Sequence, residues 1–158
     1  EKYADEIKQL FGEGIGYLGQ VGVHIRRGKN PANPEEPAYF NNPFYINLCD
    51  DTKYYEEAIK EFPNDEFLIF SDDVEFASKY ISKILPKEKF QVMDKGDEVN
   101  DLNLLASCKG IIGSNSSYAY WAAFLNPNPS AKIIFPSIKN WYADGIERTV
   151  CPQSWIRL

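Results

Sequence analysis

Several features that often mark a function are scarce or missing in this sequence. Its 158 residues include one histidine and three cysteines, and they contain no Walker phosphate-binding loop. No apolar run approaches the roughly 20 residues that a membrane-spanning helix needs, and no basic start followed by an apolar stretch indicates a secretory signal. A net charge of −6 argues against general binding to nucleic acids or membrane surfaces. Any anion-binding site must therefore be local.

The three cysteines, Cys49, Cys108 and Cys151, are widely spaced and odd in number. This spacing fits neither a disulfide framework nor a zinc site, and it indicates a reducing compartment. We expect all three to be small buried residues. The apolar fraction of 44% is that of a globular protein, and the length is that of one ordinary domain with a sizeable core.

The segment VGVHIRRG at 21–28 predicts a half-buried strand that carries a charged end. Apolar side chains alternate there with Gly22, His24 and Arg26, and Arg27 follows at once. Two adjacent guanidinium groups at the end of a strand repel each other unless an anion neutralises them. A phosphate is the usual anion, because its oxygens match the planar donors of arginine. The alternative is an ion pair with a carboxylate of this acidic protein. Because a cation adjoins it, His24 is predicted to be a neutral hydrogen-bonding residue, or else a satisfied structural histidine.

Strands and helices alternate along the rest of the chain. The apolar patterns predict strands at 20–26, 67–70, 90–93, 111–112 and 132–135 and helices near 3–11, 55–62, 76–84, 99–106 and 120–125. A long irregular loop is expected at 28–50, and the tail has no clear period. This alternation predicts an α/β fold with a parallel sheet between two layers of helices.

Polar clusters follow three of the predicted strands: His24 with Arg26 and Arg27, residues 71–73, and residues 114–117. Ligands of open parallel sheets bind outside the carboxyl ends of the strands. The fold therefore predicts that the three clusters lie together on one edge of the sheet.

The second and third clusters each allow more than one interpretation. Asn115, Ser116 and Ser117 open a helix, where they could bind a phosphate or simply cap the helix; they also form a glycosylation sequon, which does not suit a strand-to-helix junction. Asp72 and Asp73 could hold a divalent metal, accept hydrogen bonds from a base edge such as that of guanine, or cap the next helix.

Several segments of the sequence resemble the motifs of a known family. The segment VHIRRG at 23–28 is similar to the H-x-R-R-G-D signature of α-1,2-fucosyltransferases, glycosyltransferase family 11. Further segments resemble the family's other motifs in order and spacing: Tyr54-Tyr55 with Ala58, FLIFSDD at 67–73, DLNLLASC at 101–108, IGSNSSYAYWA at 112–122, and Pro136 with Trp141.

The resemblance implies that residues 1–158 are the C-terminal, Rossmann-like half of a GT-B enzyme, which binds GDP-fucose, and that the N-terminal acceptor-binding half is absent. It implies inverting transfer of fucose without a metal or other cofactor, to a glycan acceptor such as a terminal galactoside. Such a protein would be bacterial and cytoplasmic, or peripheral at the inner membrane, and this fragment alone would be inactive.

The resemblance also implies roles for individual residues. Arg26 would contact the diphosphate of the donor and is the stronger ligand candidate, whereas Arg27 is either a second ligand or a structural residue. Ser116 and Ser117 would lie near the phosphates, with Asn115 as a further binding candidate. His24 and Asp72 or Asp73 would lie near the guanine.

Catalysis on this scheme needs a stabilised leaving group and a base. Arg26 and a helix N-terminus can stabilise the departing diphosphate, and Glu35 or Glu36 could activate the acceptor hydroxyl, with Asp144 a weaker candidate. Lys29 stands where the signature has aspartate, which would weaken or alter the activity if that aspartate orients Arg27 or assists catalysis; alternatively Lys29 could add a phosphate contact.

The sequence is also compatible with two other functions. One is a glycosyltransferase that uses another nucleotide sugar through a metal at Asp72 and Asp73. The other is a nucleotide-binding module without catalysis of its own.

Overall fold

A computed structural model describes residues 18–28, 42–94, 96–149 and 151–158. Six strands lie in this part of the chain: β1 (Leu18–Ile25), β2 (Phe67–Ser71), β3 (Phe90–Val92), β4 (Cys108–Ile112), β5 (Lys132–Phe135) and β6 (Ile156–Arg157). The helices are α1 (Tyr54–Lys60), α2 (Val74–Ile81), α3 (Glu98–Ala106), α4 (Ser117–Leu125) and the short α5 (Ile138–Trp141), with a 3₁₀ turn at Lys87–Lys89.

The strands form one parallel sheet in the order β3-β2-β1-β4-β5-β6. From β1 the chain builds outward through β2 and β3, and then returns to add β4, β5 and β6 on the other side. The direction of growth therefore reverses between β1 and β4, and this reversal is the switch point at which open α/β sheets bind ligands. The predicted Rossmann-like parallel sheet is confirmed.

Each face of the sheet is covered by its own apolar cluster, so the fold has three layers. Val21, Val23 and Ile25 point to the face covered by α1 and α2, with Ala58 and Ala77 among their neighbours. The other face packs on α3, α4 and α5, through side chains such as these: Leu105, Ala106, Ala119, Ala122 and Trp141. This alternation along β1 sends Gly22 and His24 toward the α3–α4 layer.

The close packing of α3 on β1 depends on Gly22. A Cβ atom at this position would lie 2.5 Å from Leu105 Cδ1 and 2.9 Å from Cys108 Sγ. The glycine therefore brings α3 close to the strand two residues before His24, and a larger residue there would push the helix away.

The end of the chain contains a sixth strand, in addition to the five that the sequence predicts. The tail has no clear period, yet Ile156 and Arg157 pair with Ile134 and Phe135 as a sixth strand. A strand of two residues is too short to produce an alternating pattern, which explains why the sequence did not reveal it. The predicted helix near 3–11 and most of the predicted long loop lie outside the described residues, and within those residues no helix is long and apolar enough to cross a membrane.

Candidate functional site

The three predicted polar clusters meet at the carboxyl edge of the sheet. His24, near the end of β1, hydrogen-bonds through Nδ1 to Ser114 Oγ, just beyond β4, at 2.7 Å. Arg26, just beyond β1, donates from Nη1 to Asp72 Oδ2, just beyond β2, at 2.5 Å. These two contacts join the ends of β1, β2 and β4 on both sides of the switch point.

The carboxylate of Asp72 collects three donors from the turn after β1. Its Oδ1 accepts from the backbone N–H of Arg27 at 2.8 Å. Its Oδ2 accepts from the backbone N–H of Gly28 at 2.7 Å and from the Arg26 guanidinium. The side chain of Asp72 is only 17% exposed, so this carboxylate fixes both the backbone turn and the adjacent arginine.

The neighbouring Asp73 has a separate task. Its Oδ1 accepts from the backbone N–H of Phe76 at 3.0 Å, and the residue is the N-cap of α2. Capping satisfies an N–H group that the first turn of a helix leaves without an internal partner. Among the described residues, no group of three or more His, Cys, Asp and Glu side chains is arranged to hold a metal ion.

The two adjacent arginines lie in different surroundings. The guanidinium of Arg27 lies over the ring of Phe76, 3.6 Å from its centroid, and donates to Asp50 Oδ2 at 3.1 Å. Stacking on an aromatic ring together with an ion pair is a typical structural use of arginine. The structure therefore assigns the side chain of Arg27 to packing on α2, whereas Arg26 lies near enough to His24 to lower the pKa of that imidazole.

His24 is buried and neutral. Its side chain packs beside the ring of Tyr118 with 5.3 Å between centroids. Burial lowers the pKa of His24 to about 4; the Arg26 guanidinium also lowers it, whereas the Asp72 carboxylate opposes the shift. The sequence correctly predicted a neutral histidine, but desolvation rather than the adjacent cation is the main cause.

The β4–α4 junction contributes only uncharged groups. Ser116 is the N-cap of α4 and accepts from the backbone N–H of Tyr118 at 3.3 Å, while Ser117 is exposed. Asn115 is buried, and its Nδ2 donates to the carbonyl oxygens of Ile46 at 2.9 Å and Trp141 at 3.3 Å. The amide of Asn115 thus ties the junction to two distant backbone segments, so these contacts are structural ones.

Of the three candidate catalytic bases, Asp144 is the one that lies among the described residues. Glu35 and Glu36 lie outside the described residues, as does Lys29. Asp144 is exposed and accepts from both Nη atoms of Arg148, at 2.9 and 2.5 Å. The hydrogen bonds from Arg148 lower the pKa of Asp144 to about 2, so this carboxylate is a weak proton acceptor at neutral pH.

The cysteines show no sign of nucleophilic use. All three are free, with Cys108 buried and the other two partly buried. Burial raises the pKa of Cys49 and of Cys108 to about 12. These two groups are therefore thiols at neutral pH, and the thiolate is the nucleophilic form.

Sequence reasoning missed two aromatic residues of the site, Tyr118 and Phe76. Tyr118 lies in the first turn of α4, directly after the third polar cluster, and its hydroxyl donates to the carbonyl oxygen of Glu98 at 2.8 Å. An aromatic residue in the first turn of a helix that follows such a cluster is a weak signal. Phe76 reads as one of the apolar residues of α2, and nothing in the pattern marks it as the platform for Arg27.

Comparison with known proteins identifies the family. The whole chain, residues 1–158, matches the family model described as Glycosyl transferase family 11. An alpha-1,2-colitosyltransferase of Escherichia coli is 29% identical over 145 residues, which cover 87% of this chain and 47% of the relative. The O-antigen biosynthesis glycosyltransferase WbnK of Escherichia coli is also 29% identical over 145 residues, which cover 87% of this chain and 44% of the relative. No solved structure gives a significant match.

The chain spans about half the length of the curated relatives it matches. The match to the family model, in contrast, includes every residue of the chain, and with it the ends of β1, β2 and β4 that form the site. The predicted resemblance is confirmed: this chain belongs to glycosyl transferase family 11.

Proposed function

We propose that this chain is the GDP-fucose-binding domain, the C-terminal half of a GT-B glycosyltransferase, that supports inverting transfer of fucose to a glycan hydroxyl. One observation carries the proposal: Arg26 and the N-terminus of α4 lie on the two sides of the switch point. A guanidinium and a helix N-terminus are the two groups that proteins most readily use for a diphosphate. A terminal galactoside is the proposed acceptor, and the proposed location is cytoplasmic or peripheral at the inner membrane.

The chemistry follows from the charge that develops as the glycosidic bond breaks. The departing GDP gains negative charge on its diphosphate, and fixed donors at that position stabilise the transition state more than the ground state. Arg26, held by Asp72, supplies one such donor group, and the first turn of α4 supplies oriented backbone N–H groups. Neither group depends on a metal, so we propose a transfer without one.

The uncharged state of His24 suits the same purpose. A neutral imidazole can donate from one ring nitrogen while the other accepts, and Nδ1 is hydrogen-bonded to Ser114. Residues near the end of β1 would thus offer one cation and one neutral group to the nucleotide. Glu35 remains the proposed base that takes the proton from the acceptor hydroxyl.

The identity of the donor sugar has a second candidate. One relative is named for colitosyl transfer. The similarity of this chain to that relative favours a colitosyl donor as the alternative to a fucosyl donor. The affinities of this chain for the fucosyl and the colitosyl nucleotide distinguish the two, because we expect the donor to bind more tightly.

The direct test is the thermal stability of this chain with nucleotides in the presence of EDTA. A ligand at about one hundred times its Kd adds about 2.7 kcal/mol of stability, which corresponds to a Tm increase of roughly 5–10 °C for a domain of this size. We expect GDP and GDP-fucose to give this increase. We also expect Arg26→Ala to remove most of this increase and leave only weak binding. The matched control is Arg148→Ala, which changes an exposed arginine bonded to Asp144 and should keep the full increase.

Other results would point to the remaining functions. Equal stabilisation by UDP or ADP would exclude guanine selectivity, and a strict requirement for Mg²⁺ would favour a metal-dependent transferase. If the full-length protein binds GDP-fucose but neither transfers nor hydrolyses it with lactose present, a non-catalytic binding module is the better description.

A further inference from the structure

We infer that Asp72 is a positioning residue, which sets the orientation of Arg26 toward the donor diphosphate and does not read the nucleobase. This inference rests on the proposed function, because it assigns the site a diphosphate ligand. It also departs from the role near the guanine that the family resemblance implies for Asp72 or Asp73.

Asp72 already accepts three hydrogen bonds. A carboxylate has about four acceptor positions, and Asp72 uses three of them for Arg27 N–H, Gly28 N–H and Arg26 Nη1. A guanine edge presents an N–H and an amino group side by side, so its recognition needs two acceptor positions. Asp72 has about one left, and two-point recognition would require it to release the turn or the arginine.

The Asp72 carboxylate lies so close to Gly28 that a side chain at this position would meet it. A Cβ atom at Gly28 would lie 2.9 Å from Asp72 Oδ2 and 3.2 Å from its Cγ. Side-chain atoms at position 28 would therefore displace the carboxylate from the turn. The glycine that ends the signature segment leaves room for Asp72 to reach the backbone, and the hydrogen bond to Arg26 follows from this approach.

Asp72 and the next residue, Asp73, have different hydrogen-bond partners. Asp73 caps α2 through Phe76 N–H, so the two aspartates point to different partners. Asp72 bonds to the turn after β1, whereas Asp73 bonds to the first turn of α2. Because one edge of the Arg26 guanidinium is held by Asp72, the orientation of that group is set before a ligand arrives, which lowers the cost of ordering it on binding.

The experiment measures the affinities of GDP and UDP for the whole chain carrying Asp72→Asn or Gly28→Ala. Asp72→Asn removes the charge at nearly constant shape, and Gly28→Ala keeps the charge but displaces it. We expect each to weaken GDP binding roughly tenfold or more, the value of a charge-assisted hydrogen bond, with the ratio of GDP to UDP affinity unchanged. If Asp72 reads guanine, that ratio falls toward one while UDP binding is unaffected, and the inference is wrong.

Two matched controls separate positioning from a general loss of structure. Asp97→Asn changes the carboxylate that caps α3 to another good N-cap, and Gly19→Ala adds a methyl group to the same strand at a position with nothing within 4 Å. Both should keep wild-type affinity. If Asp72→Asn lowers the Tm but leaves the GDP affinity at the wild-type value, Asp72 is merely structural and the inference fails.

A double-mutant cycle with Arg26→Ala gives the decisive readout. If Asp72 acts through Arg26, Arg26→Ala combined with Asp72→Asn binds GDP no more weakly than Arg26→Ala alone. Additive losses would show that Asp72 acts independently and would overturn the inference. Failure of wild-type protein to bind GDP is a different result, since it would contradict the proposed function itself.

Discussion

The two sides of the switch point are built from different kinds of side chain. On the β1–β2 side, charged groups bind one another: Arg26 with Asp72, and Arg27 with Asp50. On the β4–α4 side, Ser114, Asn115 and Ser116 are all uncharged and buried. The charged side is ordered by ion pairs as well as by backbone hydrogen bonds to Asp72. The uncharged side is ordered by hydrogen bonds alone, so acid, salt and mutation should affect the two sides differently.

His24 is the residue that joins the two sides, and charging it should produce the largest effect. Its pKa is lowered to about 4 in the folded protein, against about 6.5 when unfolded. The unfolded chain therefore binds the extra proton between these values, and stability falls as the pH drops from 6.5 to 4. The expected loss is about 3 kcal/mol.

The measurement compares the free energy of unfolding in urea at several pH values between 4 and 7.5 for the wild type and His24→Gln. The carboxylates titrate in both proteins, so the variant removes only the contribution of the imidazole. Stability should fall less steeply with acid in His24→Gln. Parallel curves for the two proteins would contradict this account of His24.

On the uncharged side, we expect the loss of the Asn115 amide to lower the free energy of unfolding. Replacement by alanine leaves the carbonyl oxygens of Ile46 and Trp141 without this donor, at a cost of roughly 2 kcal/mol. Unfolding of Asn115→Ala in urea checks the value. Asn128→Ala is the matched control, because its side chain accepts a bond from Ser130 N–H within an exposed local turn and should cost much less; an equal cost would contradict the tethering role of Asn115.

The smallest expected effect is at the cap of α4. Ser116→Ala removes the side-chain oxygen that accepts from Tyr118 N–H, and the expected loss is about 1 kcal/mol. Ser117→Ala, one residue later and exposed, should change the free energy of unfolding very little. If the two serines prove equivalent, the cap is not what orders this end of the helix.

Much of this organisation could be predicted from the sequence because periodic patterns carry it. The apolar alternation of β1 and the continuous apolar run of β2 gave the strands, and the sheet rule then placed three polar clusters on one edge. What the pattern could not give was the partner of each group. Asp72 accepts hydrogen bonds from the backbone N–H groups of residues 27 and 28. Every residue except proline has such a group, so the sequence does not show which ones bond to Asp72.

The same limit explains Asn115. Its residue type suits a phosphate, a helix cap or a structural tether equally well, and only the positions of the Ile46 and Trp141 carbonyls reveal its contacts. The two arginines differ for a comparable reason. Their separation into a group beside His24 and a group on Phe76 depends on where α2 packs, which is a property of the folded layers and not of the RR pair.

Three hydrogen bonds on the far face of the sheet bear on the electrostatic potential of the site. The hydroxyl of Tyr54, in α1, donates to the carbonyl oxygens of Gly113 at 2.6 Å and Ile134 at 3.1 Å, and that of Tyr55 donates to His24 O at 2.9 Å. Carbonyl groups at the ends of parallel strands carry partial negative charge, which would repel an anion. Two buried phenols thus cover three of these oxygens from behind. On the proposed function, a diphosphate bound at this edge would meet less negative potential than bare carbonyl groups would present.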